Sequence, residues 1–551
     1  MIAIKDKTYG NVSIYEEIGC GLHIDTELIQ HNGIIENARI SNWELCIGEN
    51  LTKGYGIDEL YNKFIELIND FDLKNESVKK KHILVIYIDN LNWIRGFFKD
   101  TITEDFTYYV QVMYYLEFRP TSIWKKDLHN AEEIAYYAQY LISNIFVPEK
   151  YFYITPNQQL RRKLRKAMQA EKDTTIEKIN INSWSDYKIM RNALFGGLCY
   201  CPYPNLVIEK SIMELDLNSA YIFDLLVEKH CMSKAKIVDP NHWEYYLEED
   251  NNVTSFGRYK IKYACTTNKA HCYKNYKGFN VEYGEHEDIF YFNDIDLKIF
   301  MSLVTVLNIE CKYLEEYELD YIPKFMRDCL VTEYIKKNSL KNSNDKLAYK
   351  LQKTVINGAY GDTIRKYTTI EEFKNSKKKA TTIPQWGIWT TSYCKKHLLA
   401  LATKIDGWYY SDTDSIYCKD TPKNRKLLKE FNDNIRLRIK EFCDEFGYNY
   451  DNLKDLGTFE IKNTITKFKA IKQKEYMFTD TKGIITLKAA GCNREKDQVF
   501  TDDIYDLEKI PVGKKTFGFF TDDGYYELTY ENEEAELMTY IALASGLILD
   551  N

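Results

Sequence analysis

Trp408-Tyr409-Tyr410-Ser411-Asp412-Thr413-Asp414-Ser415-Ile416-Tyr417 sets two carboxylates one residue apart inside an otherwise apolar and aromatic run. In a strand, successive side chains alternate between faces, so Asp412 and Asp414 fall on the same side, and a tight turn at Thr413 holds both at the tip of a β-hairpin. A lone Asp-x-Asp is ordinarily a solvated turn. This one has a companion upstream, in Ile212-Met213-Glu214-Leu215-Asp216-Leu217-Asn218-Ser219-Ala220-Tyr221, where a short apolar strand ends in Asp216 and runs into a mostly apolar segment. The grouping has a charge rationale. Two divalent cations about 3.5 to 4 Å apart repel strongly, and they share a site only where several carboxylates and substrate phosphates bridge them. Mg²⁺ suits such hard oxygen ligands. Asp216, Asp412 and Asp414 are therefore the expected catalytic metal ligands for two-metal phosphoryl chemistry, holding two Mg²⁺ ions, with Mn²⁺ as an alternative.

Between these segments, Lys346, Lys350, Lys353, Asn357 and Tyr360 follow one another at spacings of three or four. On a helix they form one stripe, and Leu347, Leu351, Thr354 and Gly358 form an adjacent, less polar one that is expected to pack. Alone, this is an ordinary amphipathic surface helix. Beside three carboxylates, the Lys353 ammonium becomes a candidate ligand for an incoming triphosphate.

The 551 residues are too many for one ordinary core, so three or more subdomains are expected. The net charge of −8 counts against nucleic-acid binding only if charge is spread evenly. It is clustered instead: 161–166, 336–353, 374–379 and 462–474 are rich in Lys and Arg. Such runs can neutralise phosphates locally, since exposed charges more than about 10 Å apart are screened. The last run is the one expected to meet a primer strand. The 13 cysteines include no Cys-x-x-Cys pair, which fits reduced thiols in a cytoplasm, and His271-Cys272 lacks partners at zinc spacing. The start is no signal peptide, and 541–549 is too short to span a bilayer, so no membrane partner is expected.

Taken together, Asp216-Leu217-Asn218-Ser219-Ala220-Tyr221, Lys353-x-x-x-Asn357-Gly358-Ala359-Tyr360-Gly361 and Tyr410–Ser415 resemble motifs A, B and C of family B DNA polymerases, in that family's order. Lys474-Glu475-Tyr476 resembles its Lys-x-Tyr motif, and Lys488-Ala489-Ala490-Gly491 a segment that follows it. Leu194-Phe195-Gly196-Gly197 resembles the Tyr-x-Gly-Gly motif, with Leu in place of Tyr. The small size and the long insertion between motifs A and B are similar to the protein-primed branch of bacteriophages and linear plasmids. The resemblance implies an α+β right hand of palm, fingers and thumb, behind an N-terminal α/β, RNase H-like domain of exonuclease type. It further implies a nucleotide site of Tyr221, Lys346, Lys353, Asn357 and Tyr360, in which the Tyr221 ring excludes a 2′-hydroxyl. Lys474, Tyr476, Lys488, Gly196 and Gly197 would meet primer and DNA. Gly358 stands where the family has Ser, and Ala220 and Ile222 replace its Leu and Pro. The implied partners are a DNA template and primer, deoxynucleoside triphosphates and a terminal protein, and the implied location is the cytoplasm of a bacterial host.

The implied divisions are an exonuclease-like domain at 1–189, palm at 190–227, a terminal-protein-type insertion at 228–328, fingers at 329–364, a shortened second insertion at 365–385, palm again at 386–491 and thumb at 492–551. The first domain resembles a degraded nuclease. Asp25 and Glu27 match its first motif, but Ile94, downstream of Asn90, and Tyr140 stand where the second and third motifs carry acids. A site short of two carboxylates cannot neutralise two divalent ions, so 3′-5′ exonuclease activity is expected to be absent. Two alternatives remain at this stage: a primer-independent or RNA-copying palm polymerase, and a non-catalytic DNA-binding replication scaffold, against which the intact acids and Lys353 argue.

Overall fold

The computed structural model describes all residues except 1–11, 16–19, 32–33, 48–49, 71–80, 89–115, 121–129, 133, 136–155, 182, 195, 249–251, 274–275, 277–278, 342–345, 378–379, 490–514, 522–523, 531–547 and 550–551. The chain forms two compact units. One comprises 1–155, 490–500 and 510–551, the other 156–489 and 501–509. The chain first passes from one unit to the other at Thr155/Pro156.

In the first unit, β1 (Val12–Tyr15), β2 (Cys20–His31), β3 (Ile34–Ile47), β4 (Asn50–Tyr55), α1 (Gly56–Asp70), β5 (Lys81–Ile88) and β6 (Leu116–Pro120) follow in order. β2, β3 and β4 pair antiparallel, whereas β5 runs parallel to β1, β2 and β6. The mixed sheet is the expected α/β arrangement. Alternation buries Cys20, Leu22 and Ile24 on β2 and Trp43 and Leu45 on β3. Asp25 and Glu27 lie on β2, where Asp25 pairs with Asn42. Their side chains, and Asn90, Ile94 and Tyr140 entirely, lie outside the described residues.

The second unit begins with α2 (Pro156–Ala170). Two residues of its basic face are engaged within the unit. Arg161 pairs with Asp362, and Lys163 with the buried Glu333 at 2.5 Å. The central sheet contains β7 (Leu198–Tyr200), β8 (Val207–Ile208), β9 (Ile212–Leu217), β15 (Trp408–Thr413), β16 (Ser415–Lys419), β17 (Phe459–Lys472), β18 (Glu475–Asp480) and β19 (Ile485–Ala489). Its order is β19-β18-β17-β9-β16-β15-β7, with β8 beside β17. β9, apolar on both faces but for Glu214 and Asp216, therefore runs between β16 and β17. α3 (Ala220–Val227) leaves it immediately and is buried at every position but Tyr221.

The insertion contributes β10 (His230–Cys231), β11 (Lys236–Ile237), β12 (Val253–Cys265), β13 (Gly284–Asn293), α4 (Asp294–Leu303) and β14 (Thr305–Asp320). β12 pairs antiparallel with both β13 and β14. Its aromatic residues Tyr259, Tyr263, Phe290, Phe292 and Phe300 join one core with Met213, Leu215 and Leu217 of the palm. α5 (Lys324–Lys341) and α6 (Lys346–Thr363), in the range expected to be the fingers, pack on each other and on α2. The packed stripe of α6 is Ala348, Gln352, Val355, Ile356 and Ala359. This corrects the expected stripe in part: Gly358 is buried as expected, but Thr354 is exposed and Tyr360 buried, because the helix faces α2 and α5 about one residue round from the expected pattern. The side chains of Lys346, Leu347, Lys350 and Leu351 lie outside the described residues.

α7 (Pro384–Ala402) opens with Pro at its first turn and buries Trp386 and Trp389 completely. Each indole of this size removes 150–250 Å² from water, worth roughly 4–6 kcal/mol. α8 (Pro422–Phe446) is capped by Thr421 and ended by Gly447 at φ 75°. β20 (Lys515–Thr521), β21 (Gly524–Tyr530) and β22 (Ile548–Leu549) fall in the expected thumb range, yet they group with the first unit, where β21 lies against β3. No helix among the described residues is long and apolar enough to cross a membrane.

Candidate active site

The hairpin β15–β16 is built as its sequence predicts. Asp412 pairs with Ser415, leaving Thr413 and Asp414 as the loop. Thr413 takes the left-handed conformation at φ 60°, unusual for a β-branched residue, and the Asp414 N–H donates to the Asp412 carbonyl at 2.7 Å. The Thr413 hydroxyl donates to Asp412 Oδ1 at 3.0 Å, and Ser415 Oγ to the Asp412 carbonyl at 3.0 Å. The first acid then arrives by register. β16 pairs with β9 so that Ser415 faces Asp216, and the Leu217 N–H donates to the Asp414 carbonyl at 2.8 Å. Asp216 and the hairpin acids, about two hundred residues apart in sequence, thus meet at one end of adjacent strands.

Burial pushes the Asp414 carboxyl up to about 7, with the nearby Asp216 charge adding to it. Burial likewise raises Asp216, while Lys462 and Lys353 pull it down. Lys462 Nζ lies 2.5 Å from Asp216 Oδ2, and Lys474 Nζ 3.0 Å from Asp412 Oδ1. Carboxylates that repel one another, two of them capped by ammonium groups, are a donor set that a divalent cation fits.

Lys353 and Asn357 are exposed on α6. Tyr221 stacks on Tyr360 with ring centroids 3.8 Å apart and planes within 9°, and the Tyr360 hydroxyl meets Thr391 Oγ1 at 2.8 Å. Sequence reading missed Lys337. It is buried on α5, donates to Ser219 Oγ at 2.6 Å, and is pushed down to about 8 by burial and the like charges of Lys353 and Lys341. The only signal for it was its place within the basic run that ends at Lys353.

Glu214 was also missed, although it lies two residues before Asp216 and so on the same face. It is buried, accepts from the Tyr417 hydroxyl at 2.8 Å and is bonded by the Asn463 amide. The Tyr417 and Tyr476 hydroxyls lie 2.9 Å apart. Tyr476, expected at the primer, is thus buried in the sheet's hydrogen-bond network, while Lys474 reaches Asp412. The rest of the basic run 462–474 is similarly engaged: Lys467 pairs with Glu209 at 3.3 Å, Lys472 with Glu475 at 2.9 Å, and Lys469 is buried. Lys488 pairs with Tyr476 across β18–β19. Gly196 has φ 81°, and Gly197 lies against the Thr413 side chain at the hairpin tip.

Among the described residues, ligand atoms within 4.8 Å of one another are gathered instead by Asp224, Glu228 and His397. Arg438 completes this group, donating to Glu228 Oε1 at 2.6 Å with its other nitrogen 3.1 Å from His397 Nε2. Against the pull of burial, Asp224 and Glu228 hold His397 up at about 9. A charged His397 and Arg438 balance the two acids, which makes this an internal ion-pair network tying α3, α7 and α8 together.

A sheet carrying three acids, flanked by a lysine-bearing helical element, defines the right-hand polymerase class. Solved structures agree on the fold. Phi29 DNA polymerase complexed with single-stranded DNA superposes with a TM-score of 0.59 at 13% identity, covering 93% of this chain and 99% of that one. Phi29 DNA polymerase complexed with primer-template DNA gives 0.58 at 12%, with the same coverage. No curated protein sequence matches. Residues 129–402 match the family described as DNA polymerase type B, organellar and viral.

Proposed function

We propose that this chain copies a DNA template by adding deoxynucleotides to a primer 3′-hydroxyl, releasing pyrophosphate. The supporting observation is the β9–β16 register that brings Asp216 beside Asp414 in a site edged by Lys353 and Lys337. Asp216, Asp414 and Asp412 would hold two Mg²⁺ or Mn²⁺ ions, which when bound lower the pKa of the attacking hydroxyl and offset charge on the leaving phosphate. Lys353 and Lys337 compensate triphosphate charge from the fingers side. Tyr221, braced by Tyr360, closes the space that a ribose 2′-hydroxyl needs. Glu214, Tyr417, Asn463 and Tyr476 hold the strands that carry the acids. The solved complex of Phi29 DNA polymerase with primer-template DNA and incoming nucleotide substrates supports the same partners for this chain.

The match to an organellar and viral type supports a viral or linear mobile element as the replicated genome, and a phage in a bacterial host is the proposed setting. A protein hydroxyl in place of the primer hydroxyl is a further part of this reading, with the insertion 228–328 as the partner surface. Exposed Tyr245 and Tyr283 favour it, whereas Glu285 and Glu287 are already paired with Lys262 and Lys260. Primer extension on a defined template with Mg²⁺ tests the proposal. Asp216→Ala or Asp414→Ala should abolish incorporation and leave DNA binding largely intact; retained turnover in either variant overturns the assignment. Ile94 and Tyr140 support an absence of 3′-5′ digestion, and Mg²⁺-dependent degradation that disappears on changing Asp25 and Glu27 would refute it.

A further inference from the structure

The cation on Asp216 is delivered by an irregularity in β17. Along β17 and β9, Glu460 pairs with Asp216 and Ile461 with Leu215, but the next pair is Asn463 with Glu214. Lys462 is the extra residue of a β-bulge. Without the bulge, Lys462 and Asn463 would point to opposite faces. With it, both turn to the face that carries the acids: Asn463 reaches Glu214, and Lys462 reaches Asp216 at 2.5 Å. Lys462 is still 39% exposed and Asp216 22%, so the ammonium sits at the mouth of the site, on a flexible stem that can swing away.

Resting on the proposed polymerase reading, we propose that Lys462 is a tethered positioning cation that occupies Asp216 in the free enzyme and competes with the divalent ion for that carboxylate. Metal loading at Asp216 then requires exchange of one cation for another, and the site is protected from unbalanced negative charge while it waits. The argument is one of charge and space. An ammonium within contact distance of Oδ2 both blocks that oxygen and repels an arriving dication.

The test is Mn²⁺ binding to the full chain, free of nucleotide and DNA, followed by electron paramagnetic resonance. Lys462→Met should bind Mn²⁺ about fivefold more tightly than wild type, the size expected for release of a partly exposed ion pair. Lys462→Arg, whose guanidinium can grip both carboxylate oxygens, should bind it more weakly. Asp216→Asn should lose the competing site and erase the difference between Lys and Met at 462. A merely structural lysine would not produce tighter binding on removal. Unchanged or weaker Mn²⁺ affinity in Lys462→Met, with its melting temperature retained, overturns the inference; if that variant melts early, Lys462→Gln serves in its place and is judged by the same order. Primer extension by wild type is run alongside: no incorporation at any Mg²⁺ concentration sinks the polymerase reading, whereas the affinity order decides Lys462 by itself.

Discussion

Replacing Gly197 by Ala should damage the site without touching any acid. A Cβ at 197 would lie 2.7 Å from Thr413 Cγ2, 2.9 Å from its Oγ1 and 3.0 Å from its Cβ. Carbon atoms rest at about 3.5–4.0 Å, so the hairpin tip must retreat by roughly 1 Å. Gly197 is not in the left-handed region, so Ala suits its backbone and the cost is purely steric. Thr413 gives way poorly, because it already holds φ 60° and its hydroxyl is engaged with Asp412. Overpacking of this kind costs roughly 1–3 kcal/mol. A displacement of about 1 Å at Asp412 and Asp414 should slow incorporation by about 10²-fold. The assays are urea unfolding and single-nucleotide incorporation under saturating Mg²⁺. Combining Gly197→Ala with Thr413→Gly removes the crowding atoms and suits the positive φ, so the double variant should recover most of the lost stability. Unchanged stability and rate in Gly197→Ala, or strictly additive losses in the pair, would refute the reasoning.

Asp414 makes stability depend on pH in the absence of metal. Its folded pKa of about 7 stands above the unfolded value of about 3.9, so the folded state holds the proton more tightly. In EDTA, this contribution is complete below about pH 4 and lost as pH rises to 7; Mg²⁺ should flatten the profile, and urea midpoints that show the same slope with and without Mg²⁺ would contradict this. Tyr221→Val should raise ribonucleotide incorporation relative to deoxyribonucleotide, and an unchanged ratio would place the gate elsewhere. Tyr417→Phe withdraws a donor from buried Glu214 and a partner from Tyr476, so it should cost about 1–3 kcal/mol, whereas Tyr476→Phe removes one bond and should cost about 0.5–1.5 kcal/mol. Equal losses in the two variants would show that Glu214 does not depend on Tyr417.

By itself, the sequence determined the parts of this protein that depend on short-range periodicity. Alternation along 408–417 placed Asp412 and Asp414 at a hairpin tip, and the apolar strand 212–217 ended at Asp216. The spacing of Lys353, Asn357 and Tyr360 gave a helix with one polar edge. The tertiary structure decided what those residues meet. Strand register brought Asp216 to Asp414, a bulge invisible to any pattern turned Lys462 onto Asp216, and helix rotation buried Tyr360 against Tyr221. The basic run 462–474 shows the limit most clearly. Charge counted along the chain suggests a phosphate-binding stripe, but a strand sends successive residues to opposite faces, and each face meets whatever acids its neighbours present. Lys462, Lys467, Lys472 and Lys474 are paired because β9, β15, β18 and the turn between β8 and β9 carry acids within reach, a fact of cross-strand distance rather than of composition.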